Sequence, residues 1–462
     1  MNKLDSKAVA QFASGLRGRT FLPSAPEYDQ ARKIWNGMID RRPAVIVQCS
    51  GVADVINAVN FARESRLVVA VRGGGHNVAG NAVCDAGMMI DLSKMKSIRV
   101  DPVRRVARAE PGVIWREFDR EAQTFALGTT GGLVSTTGIA GFTLGGGIGW
   151  LVRKHGLACD NLLSVDVVTA DGKMLTASPS ENSDLFWGIR GGGGNFGIVT
   201  SFEYKLHPVG PIVLGGLLAH RAEDGRALLR FCRDFIKDAP TELTTLIVYL
   251  TAPPAPFLPT EVHGKQLVAI ALCYAGKIED GEKLLKPLRK FGKPVVDHIQ
   301  PMPYSVLQSM FDEAAPPGVQ NYWKSSYING LTDSAIDTIL ERGAKITSPM
   351  SAIHVHQLGG TMRTIPEDAT AFSHRDAPFI VNLVTTWQDP SENQKHMAWT
   401  RDSFAALEKF AVGAYVNFLG EEGDERVKAA YGERKLRKLT SLKNKYDPTN
   451  FFHMNQNIKP NT

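Results

Sequence analysis

The sequence has few of the patterns that hold metals or disulfides. Five cysteines occur among 462 residues; they are widely spaced, and no pair stands as Cys-x-x-Cys. A disulfide framework or a zinc ribbon needs paired or closely spaced cysteines, so we expect neither. No His-Glu-x-x-His pattern occurs, and we expect no metal. The cysteines are Cys49, Cys84, Cys159, Cys232 and Cys273.

Charge of one sign and long apolar runs are also missing. The 53 basic and 47 acidic residues are interspersed along the chain, although the net charge is +6. Nucleic-acid binding needs a concentrated basic face, so no nucleic-acid partner is expected. No apolar run is long enough for a membrane span, and Met1–Phe12 carries charges where a signal peptide needs an apolar core. We therefore expect no membrane partner and a location in the reducing cytoplasm.

What is present is a chain long enough for two or three domains, with 43% hydrophobic and 22% charged residues. From Ala44 to Val71 the apolar pattern predicts a strand, a helix and a second strand. Alternating runs at Gln266–Tyr274 and Phe379–Trp387 predict longer strands, and Asp280–Phe291 predicts a helix between them. These later elements indicate a second domain of sheet and helix.

Three glycine clusters stand out, at 73–75, 141–149 and 191–197, and we predict that they lie at strand ends. Because glycine has no side chain, its backbone N–H can approach an anion closely, and these clusters therefore suggest a binding site for a pyrophosphate. The alternative is that they form only tight turns. Gly192, Gly194 and Gly197 spell the dinucleotide fingerprint. That motif needs a helix after it, and Ile198–Thr200 predicts a strand, so a Rossmann NAD site is rejected.

His76 directly follows the first glycine cluster. Its place before Asn77 predicts an exposed turn rather than a core position, and a lone loop histidine is most often only solvated. His354 and His356 are interpreted as one face of a strand rather than as metal ligands.

With these motifs together, the chain resembles the berberine-bridge-enzyme-like FAD-linked oxidases of the vanillyl-alcohol-oxidase / p-cresol methylhydroxylase superfamily. The resemblance spans nearly the whole chain. It is carried by Arg72–Asn77, Gly141–Trp150, Arg153–Leu157, Asp160–Asn161, Asp184–Trp187, Gly191–Thr200, Tyr415–Asn417, Tyr431–Gly432, Tyr446–Pro448 and Asn455–Ile458.

The resemblance implies an α+β protein with a two-domain, PCMH-type FAD-binding fold. Residues 1–208 and 411–462 are expected to form the FAD domain, and residues 209–410 an antiparallel-sheet substrate domain that covers the flavin. The positions that match the family's cofactor site are Arg72, Gly73, Gly74, Gly75, His76, Asn77, Gly80, Gly132, Val134, Thr137, Gly138, Gly141, Gly145, Gly146, Gly149, Trp150, Asn195, Gly197, Val199, Asn417, Asn455 and Asn457.

The resemblance also implies that His76 bonds covalently to the flavin ring. Many relatives carry a second bond through the cysteine of a Gly-x-Cys-Pro-Thr motif. The corresponding stretch here begins Gly132-Leu133-Val134, and a valine cannot form a thioether. A single covalent bond through His76 is therefore expected. Thr137 stands where relatives carry a residue that gates oxygen.

Two residues, Asn382 and Tyr415, are the candidates for a catalytic role. Asn382 stands where relatives carry Gln, Glu or Asp, and an amide is no general base. Tyr415 is the better candidate base, provided that nearby positive charge lowers its phenol pKa; a packed tyrosine with a satisfied hydroxyl is the alternative. Phe418 replaces a second tyrosine of many relatives. His374 and Arg375 resemble a recurring pair, for which a structural role and substrate contact are equally expected.

The expected activity is an FAD-dependent oxidase that takes a hydride from a small alcohol, amine, saccharide or secondary metabolite and is reoxidised by O2 to give H2O2. Two alternatives remain open: a flavin dehydrogenase with another electron acceptor, and a non-catalytic flavin-binding protein, which Asn382 and Phe418 make conceivable.

Overall fold

A computed structural model of the protein describes residues 5–256 and 258–461. Residues 1–4 and 462, which belong to the first and last predicted segments, lie outside the described residues. The strands are β1 (Arg19–Phe21), β2 (Val45–Gln48), β3 (Val69–Arg72), β4 (Met88–Asp91), β5 (Ile98–Asp101), β6 (Val106–Ala109), β7 (Leu127–Gly128), β8 (Leu162–Val168), β9 (Met174–Ala177), β10 (Ile198–Lys205), β11 (His207–Pro208), β12 (Ile212–Arg221), β13 (Leu243–Thr251), β14 (Gln266–Tyr274), β15 (Val296–Asp297), β16 (Gln300–Pro303), β17 (Gln320–Ile328), β18 (Ala352–Gln357), β19 (Phe379–Trp387) and β20 (Ala411–Gly413). The α-helices are α1 (Ser6–Ser14), α2 (Tyr28–Ala31), α3 (Val52–Glu64), α4 (Trp115–Gln123), α5 (Ile139–Leu144), α6 (Val152–His155), α7 (Ser183–Ile189), α8 (Gly225–Lys237), α9 (Ile278–Arg289), α10 (Tyr304–Gln308), α11 (Asp333–Gly343), α12 (Thr361–Thr364), α13 (Asn393–Leu407) and α14 (Asp424–Tyr446).

The predicted strand–helix–strand unit forms the first sheet, in the order β1-β2-β4-β3. Strands β2, β4 and β3 run parallel, β1 is antiparallel, and α3 connects β2 to β3. The apolar residues of α3 bury against this sheet because they recur on one helical face. Strand β3 ends at Arg72, so the sheet delivers the chain directly into the first glycine cluster.

The second sheet is antiparallel, in the order β5-β6-β10-β8-β9. Strands β8 and β9 form the predicted hairpin, which turns at Gly172 with a positive φ of 78°. Strand β10 begins at Ile198, directly after Gly197, so the element after the third glycine cluster is a strand. The predicted strand, on which the rejection of a Rossmann site rests, is confirmed.

The third sheet has nine antiparallel strands, in the order β15-β12-β14-β13-β18-β19-β17-β20, with β16 also paired to β12. Helices α8, α9, α11 and α13 bury their apolar sides on one face of it. The opposite face packs against Ile148–Leu157 and Tyr415, which lie outside this part of the chain. One face of the large sheet is therefore turned toward the glycine-rich region.

The two ends of the chain share one hydrophobic core. Residues between Ala107 and Leu206 pack in it together with Ala414, Val416, Leu419 and α14. Helix α14 is interrupted at Gly432, which has a φ of 70°. Within the described residues, no helix combines the length and apolarity that crossing a membrane requires.

One glycine cluster does not lie where the sequence predicted. The cluster 141–149 was expected at a strand end, but its first residues lie in α5, which begins after Gly138. Ile139, Ala140 and Leu144 bury one side of this short helix in the shared core. Tertiary burial thus outweighs the low helix propensity of glycine at this position.

Candidate functional site

A cleft of about 180 Å³ lies where all three glycine clusters meet the C-terminal segment. It combines residues from β3, α5 and β10 with residues from both ends of the final segment, so no single stretch of sequence forms it. The predicted cofactor-binding residues that line it are Gly73, Asn77, Gly141, Gly145, Asn195, Gly197, Val199, Asn417 and Asn455.

The other predicted cofactor-binding positions lie outside this lining. Arg72 binds Asp91 through two hydrogen bonds of 2.9 and 2.6 Å, which fixes the end of β3. A Cβ on Gly74 would lie 2.5 Å from the Gly138 Cα, and one on Gly80 would lie 2.6 Å from Ile39. These glycines therefore serve close packing around the cleft. The positions outside the lining are Arg72, Gly74, Gly75, His76, Gly80, Gly132, Val134, Thr137, Gly138, Gly146, Gly149, Trp150 and Asn457.

The cleft has the features that a dinucleotide needs. A Cβ on Gly141 or Gly194 would meet no atom within 4 Å, so each glycine keeps open space in the cleft wall. Beside it, the buried amide oxygens of Asn455 and Asn457 have no hydrogen-bond partner. Buried polar atoms are normally satisfied. The open glycine backbone suits the pyrophosphate of FAD, and the unpartnered amide oxygens suit hydrogen-bond donors of its polar groups.

His76 is not on an exposed turn as the sequence predicted. Its imidazole is half-buried and stacks on Trp35 with ring centroids 4.3 Å apart. Burial lowers the pKa of His76 to about 4, and its Nε2 atom has no partner. The neighbours Gly73 and Asn77 line the cleft. A neutral, unpartnered imidazole at the edge of the cleft has the lone pair that bonding to a flavin requires.

Trp35 holds this edge together. Its backbone N–H donates to the Gly75 carbonyl at 3.0 Å, and its indole Nε1–H donates to the Ala315 carbonyl at 3.0 Å. Its ring also meets Trp323 of β17 edge-on, with centroids 5.7 Å apart. The glycine turn and the large sheet are therefore joined through one side chain.

From Trp35 a continuous series of rings runs along the face of the large sheet. Neighbouring rings lie between 4.3 and 6.2 Å apart. We call this series the aromatic arc. It consists of His76, Trp35, Trp323, Phe418, His356, His354, Phe311 and Trp150.

Asn382 lies in a polar row on the same sheet. It is paired in register with Ser325 of β17 on one side and His354 of β18 on the other. Residues paired across antiparallel strands share a face, so all three side chains point the same way. The Asn382 Oδ1 and Ser325 Oγ atoms are buried without partners. The row therefore presents unsatisfied polar atoms beside the aromatic arc.

Tyr415 does not meet the condition on which its role as a base depended. Burial raises the pKa of its phenol far above the ordinary value, instead of nearby positive charge lowering it. Its hydroxyl oxygen accepts hydrogen bonds from the Gly147 N–H at 3.0 Å and the Asn417 Nδ2 at 2.9 Å. This geometry favours the alternative of a packed tyrosine with a satisfied hydroxyl, which connects the second glycine cluster to the C-terminal segment.

His374 and Arg375 hold the framework. Arg375 is buried and binds Asp160 through hydrogen bonds of 2.9 and 2.6 Å. His374 lies 2.8 Å from the Ala429 carbonyl through its Nε2. Of the two roles left open for this pair, the contacts favour the structural one.

Three members of the aromatic arc were not predicted from the sequence. Trp35, Trp323 and Phe311 come from three distant segments and carry no local motif. His354 and His356 were recognised as one face of a strand, which the register confirms. Two histidines at alternate positions of β18, on an otherwise apolar strand face, were the one signal in the sequence that this face borders a functional site.

The sequence matches two family models: residues 43–178 match one described as an FAD binding domain, and residues 414–459 match one described as berberine and berberine like. An FAD-linked oxidoreductase of Dictyostelium discoideum is 33% identical over 98% of this chain and 97% of its own length. The expected FAD-linked oxidoreductase class and its cofactor FAD are thereby confirmed.

Solved structures agree with this. The 6-hydroxy-D-nicotine oxidase from Arthrobacter nicotinovorans has a TM-score of 0.88 and 27% identity, covering 97% of this chain and 99% of its own. Glucooligosaccharide oxidase from Acremonium strictum, with a 6-S-cysteinyl, 8α-N1-histidyl FAD, has a TM-score of 0.87 and 22% identity, covering 98% and 99%. At that identity the likeness concerns the fold alone. The expected vanillyl-alcohol-oxidase type of fold is confirmed.

Proposed function

Because this chain belongs to the berberine-bridge-enzyme-like family of FAD-linked oxidoreductases, we propose that it is an oxidase that takes a hydride from a small organic substrate. In this proposal O2 accepts the electrons and H2O2 is released. The observation that carries the proposal is the position of His76, between two residues of the glycine-lined cleft and at the end of the aromatic arc. FAD, when bound, supplies a ring that accepts a hydride and returns two electrons to an acceptor.

In this proposal two parts of the chain bind the cofactor and the substrate separately. Residues 1–208 and 411–462 hold the cofactor, because the cleft is lined only by residues from these two ranges. Residues 209–410 cover the substrate with the face that carries the aromatic arc and the Ser325–Asn382–His354 row. A small molecule with a flat or ring-shaped part suits this face, since aromatic side chains offer stacking surfaces.

We propose a single covalent bond to FAD, through His76. The low pKa keeps the imidazole neutral at physiological pH, so that a nitrogen lone pair is available. Val134 stands where a cysteine would be needed for a second bond, and the five cysteines are all buried elsewhere. Thr137, whose carbonyl accepts the Trp115 N–H at 3.0 Å, remains the candidate for oxygen gating.

Tyr415 and Asn382 act in this proposal by orientation. Tyr415 keeps the backbone of Gly147 and the amide of Asn417 in place beside the cleft. Asn382 offers its unpartnered Oδ1 to a donor group of the substrate. Neither side chain is a base at neutral pH, since one is an amide and burial raises the pKa of the other.

Denaturation tests the covalent bond. The purified protein precipitated in acid is expected to give a yellow pellet, and the His76→Ala variant a colourless pellet with free FAD in the supernatant. His155→Ala, which changes a histidine outside the cleft lining, is the control and should keep the colour. A colourless wild-type pellet would refute the bond while leaving FAD binding intact.

A substrate panel under air tests the oxidase activity. Benzyl alcohol, glucose, cellobiose and 6-hydroxynicotine are each mixed with the enzyme, and H2O2 is measured together with reduction of an artificial dye. Peroxide in proportion to product supports the oxidase. Dye reduction without peroxide would instead support the dehydrogenase alternative, and bound flavin that none of the four substrates reduces would support a flavin-binding protein.

A further inference from the structure

The face of the large sheet that meets the aromatic arc carries polar atoms without any partner. They are the Nε2 of His356, the Oδ1 of Asn382 and the Oγ of Ser325, all buried. An unsatisfied buried polar atom costs about 1–3 kcal/mol. Three such atoms on neighbouring strands of one face indicate a place where a polar ligand completes the hydrogen bonding.

His354 lies at the centre of this group. In register it is the neighbour of Asn382 on β19, and its ring centroid lies 5.9 Å from that of His356. On its other side the ring of Phe311 lies 6.2 Å away. His354 is half-buried, whereas Asn382 and His356 are buried. A ligand that enters along the arc can therefore reach the His354 imidazole.

Charge singles out the histidines as proton acceptors. Burial lowers the pKa of His354 to about 4 and that of His356 to about 3, so both are neutral at physiological pH. The carboxylate of Asp312, whose charge acts on His76, already accepts bonds from Arg116 and from the N–H and hydroxyl of Ser135. Within the described arc and polar row, the neutral imidazoles are the groups able to take a proton.

We propose that His354 is the catalytic residue that accepts the substrate's hydroxyl proton, with Asn382 as its positioning residue. This rests on the proposed oxidase function and refines it. Asn382 holds the substrate by accepting, at Oδ1, a hydrogen bond from a neighbouring donor group, and His354 takes the hydroxyl proton as the carbonyl forms. The substrate class is thereby an uncharged alcohol or sugar hydroxyl, because a charged group would find no counter-ion in the arc.

The step balances in atoms and electrons. The substrate C–H bond breaks, and its hydrogen leaves with both electrons as hydride to the bound FAD. The O–H bond breaks, its proton bonds to the His354 imidazole, and its electrons form the C=O bond. Reoxidation by O2 consumes the hydride equivalent and one proton to form H2O2, which returns His354 to its neutral form. The low pKa of His354 favours that return.

The first test needs no turnover and uses the holoenzyme. Phenol carries a ring and a hydroxyl. The carbon that bears its oxygen has no hydrogen, so phenol can bind but cannot give up a hydride. In protein labelled with 15N-histidine, the ring-nitrogen resonance of His354 is assigned as the one absent from the spectrum of His354→Gln. Saturating phenol is expected to shift this resonance. The resonance missing from His155→Gln, outside the arc, should not move. An unmoved His354 resonance would overturn the proposal.

The second test follows flavin reduction without oxygen by the best alcohol of the panel. His354→Gln is expected to lower the reduction rate by about 10²–10⁴-fold, with a rate that now rises with pH and is partly restored by added imidazole. His155→Gln, at a histidine outside the arc, is the control and should lose less than tenfold. Equal losses in both variants, or no loss in His354→Gln, would contradict the assignment.

The two proposals fail in different ways. If wild-type flavin is reduced normally while His354→Gln is unaffected, the oxidase function stands and only the His354 role falls. If 6-hydroxynicotine reduces the wild-type flavin and no alcohol does, the oxidase function stands, and the His354 role falls with its alcohol substrate class. Flavin content and the thermal unfolding temperature of each variant, measured alongside, separate a chemical defect from misfolding.

Discussion

At the scale of single residues, the most unusual group outside the site is Asp119 of α4. It is buried, its Oδ2 accepts a hydrogen bond from the Gln308 Nε2 at 2.9 Å, and its Oδ1 has no partner. The hydroxyl of Tyr304 and the Oε1 of Gln308 are buried without partners as well. Burial raises the pKa of Asp119 from 3.8 to about 7. The carboxyl, which lies where α4 meets α10, is therefore protonated in mild acid and titrates near pH 7.

This raised pKa predicts the pH dependence of stability. The contribution of Asp119 is fully present below its unfolded pKa, near 3.8, and is lost as the pH rises through about 7. Asp119→Asn removes the charge that must be buried, so the variant should be more stable than wild type at pH 8, by up to about 4 kcal/mol, and by a clearly smaller margin at pH 5. Thermal unfolding at both pH values measures this.

The control for this prediction is Asp376→Asn, at an exposed carboxyl paired with Arg363. Its effect should be small at both pH values, since exposed ion pairs contribute about 0–1 kcal/mol. An Asp119→Asn variant with the same stability difference from wild type at pH 5 and pH 8 would show that Asp119 does not titrate between them.

At the scale of elements, α5 makes a prediction that separates cofactor binding from folding. Gly141 lies within this helix, and an added Cβ would meet no protein atom within 4 Å but would project into the cleft. Alanine is favoured over glycine in a helix by about 1 kcal/mol. Gly141→Ala should therefore keep or raise the unfolding temperature of the FAD-free protein while lowering the flavin bound per chain, measured by absorbance.

Two further glycines serve as controls for Gly141. Gly330 also has no atom within 4 Å of an added Cβ and does not line the cleft, so Gly330→Ala should keep full flavin content. Gly80 has a φ of 76° and packs against Ile39, so Gly80→Ala should lose stability and flavin together. Full flavin content in Gly141→Ala would contradict the assignment of α5 to the cofactor cleft.

The same scale shows what sequence patterns could predict. Two strands were predicted with the bounds that the structure has, Gln266–Tyr274 and Phe379–Trp387. Alternation over nine residues specifies a strand, because successive side chains of a strand point to opposite faces of the sheet. Helix α9 was predicted two residues too late at both ends. Helix α5 was missed, because its stability comes from the shared core rather than from its own glycine-rich sequence.

The site was predictable only where a motif is local. The first glycine cluster, His76 and the C-terminal asparagines were found because each lies in a short, characteristic stretch. The predicted environment of His76, an exposed turn, was wrong. The ring that stacks on His76 belongs to Trp35, which lies 41 residues earlier in the chain. The Ser325–Asn382–His354 row likewise depends on the pairing of three strands, which a single sequence does not specify.

At the scale of the whole molecule, the C-terminal segment completes a site that begins near the N-terminus. Lys443 of α14 is fully buried, and its Nζ donates to the carbonyls of Asn195 and Phe452 at 2.8 and 2.9 Å. Its charge is paired with Asp447 at 2.7 Å. Breaking a buried pair by removing one partner costs about 3–5 kcal/mol, so this contact fixes the final segment against the third glycine cluster.

This arrangement predicts that the cofactor domain cannot form until the last fifty residues are present. A chain that ends at Phe410 lacks Tyr415–Asn417 and α14, and it exposes the apolar surface that the shared core buries. We expect it to aggregate or to keep its cofactor-domain part loosely packed, with no bound flavin after gel filtration and a weaker near-ultraviolet circular dichroism than the full chain. A chain that ends at Pro460 keeps every residue that lines the cleft and should bind flavin as the full chain does. If the chain ending at Phe410 still bound flavin, the cleft would have to be complete within residues 1–410, and the discontinuous cofactor domain, 1–208 with 411–462, would be the wrong description of this protein.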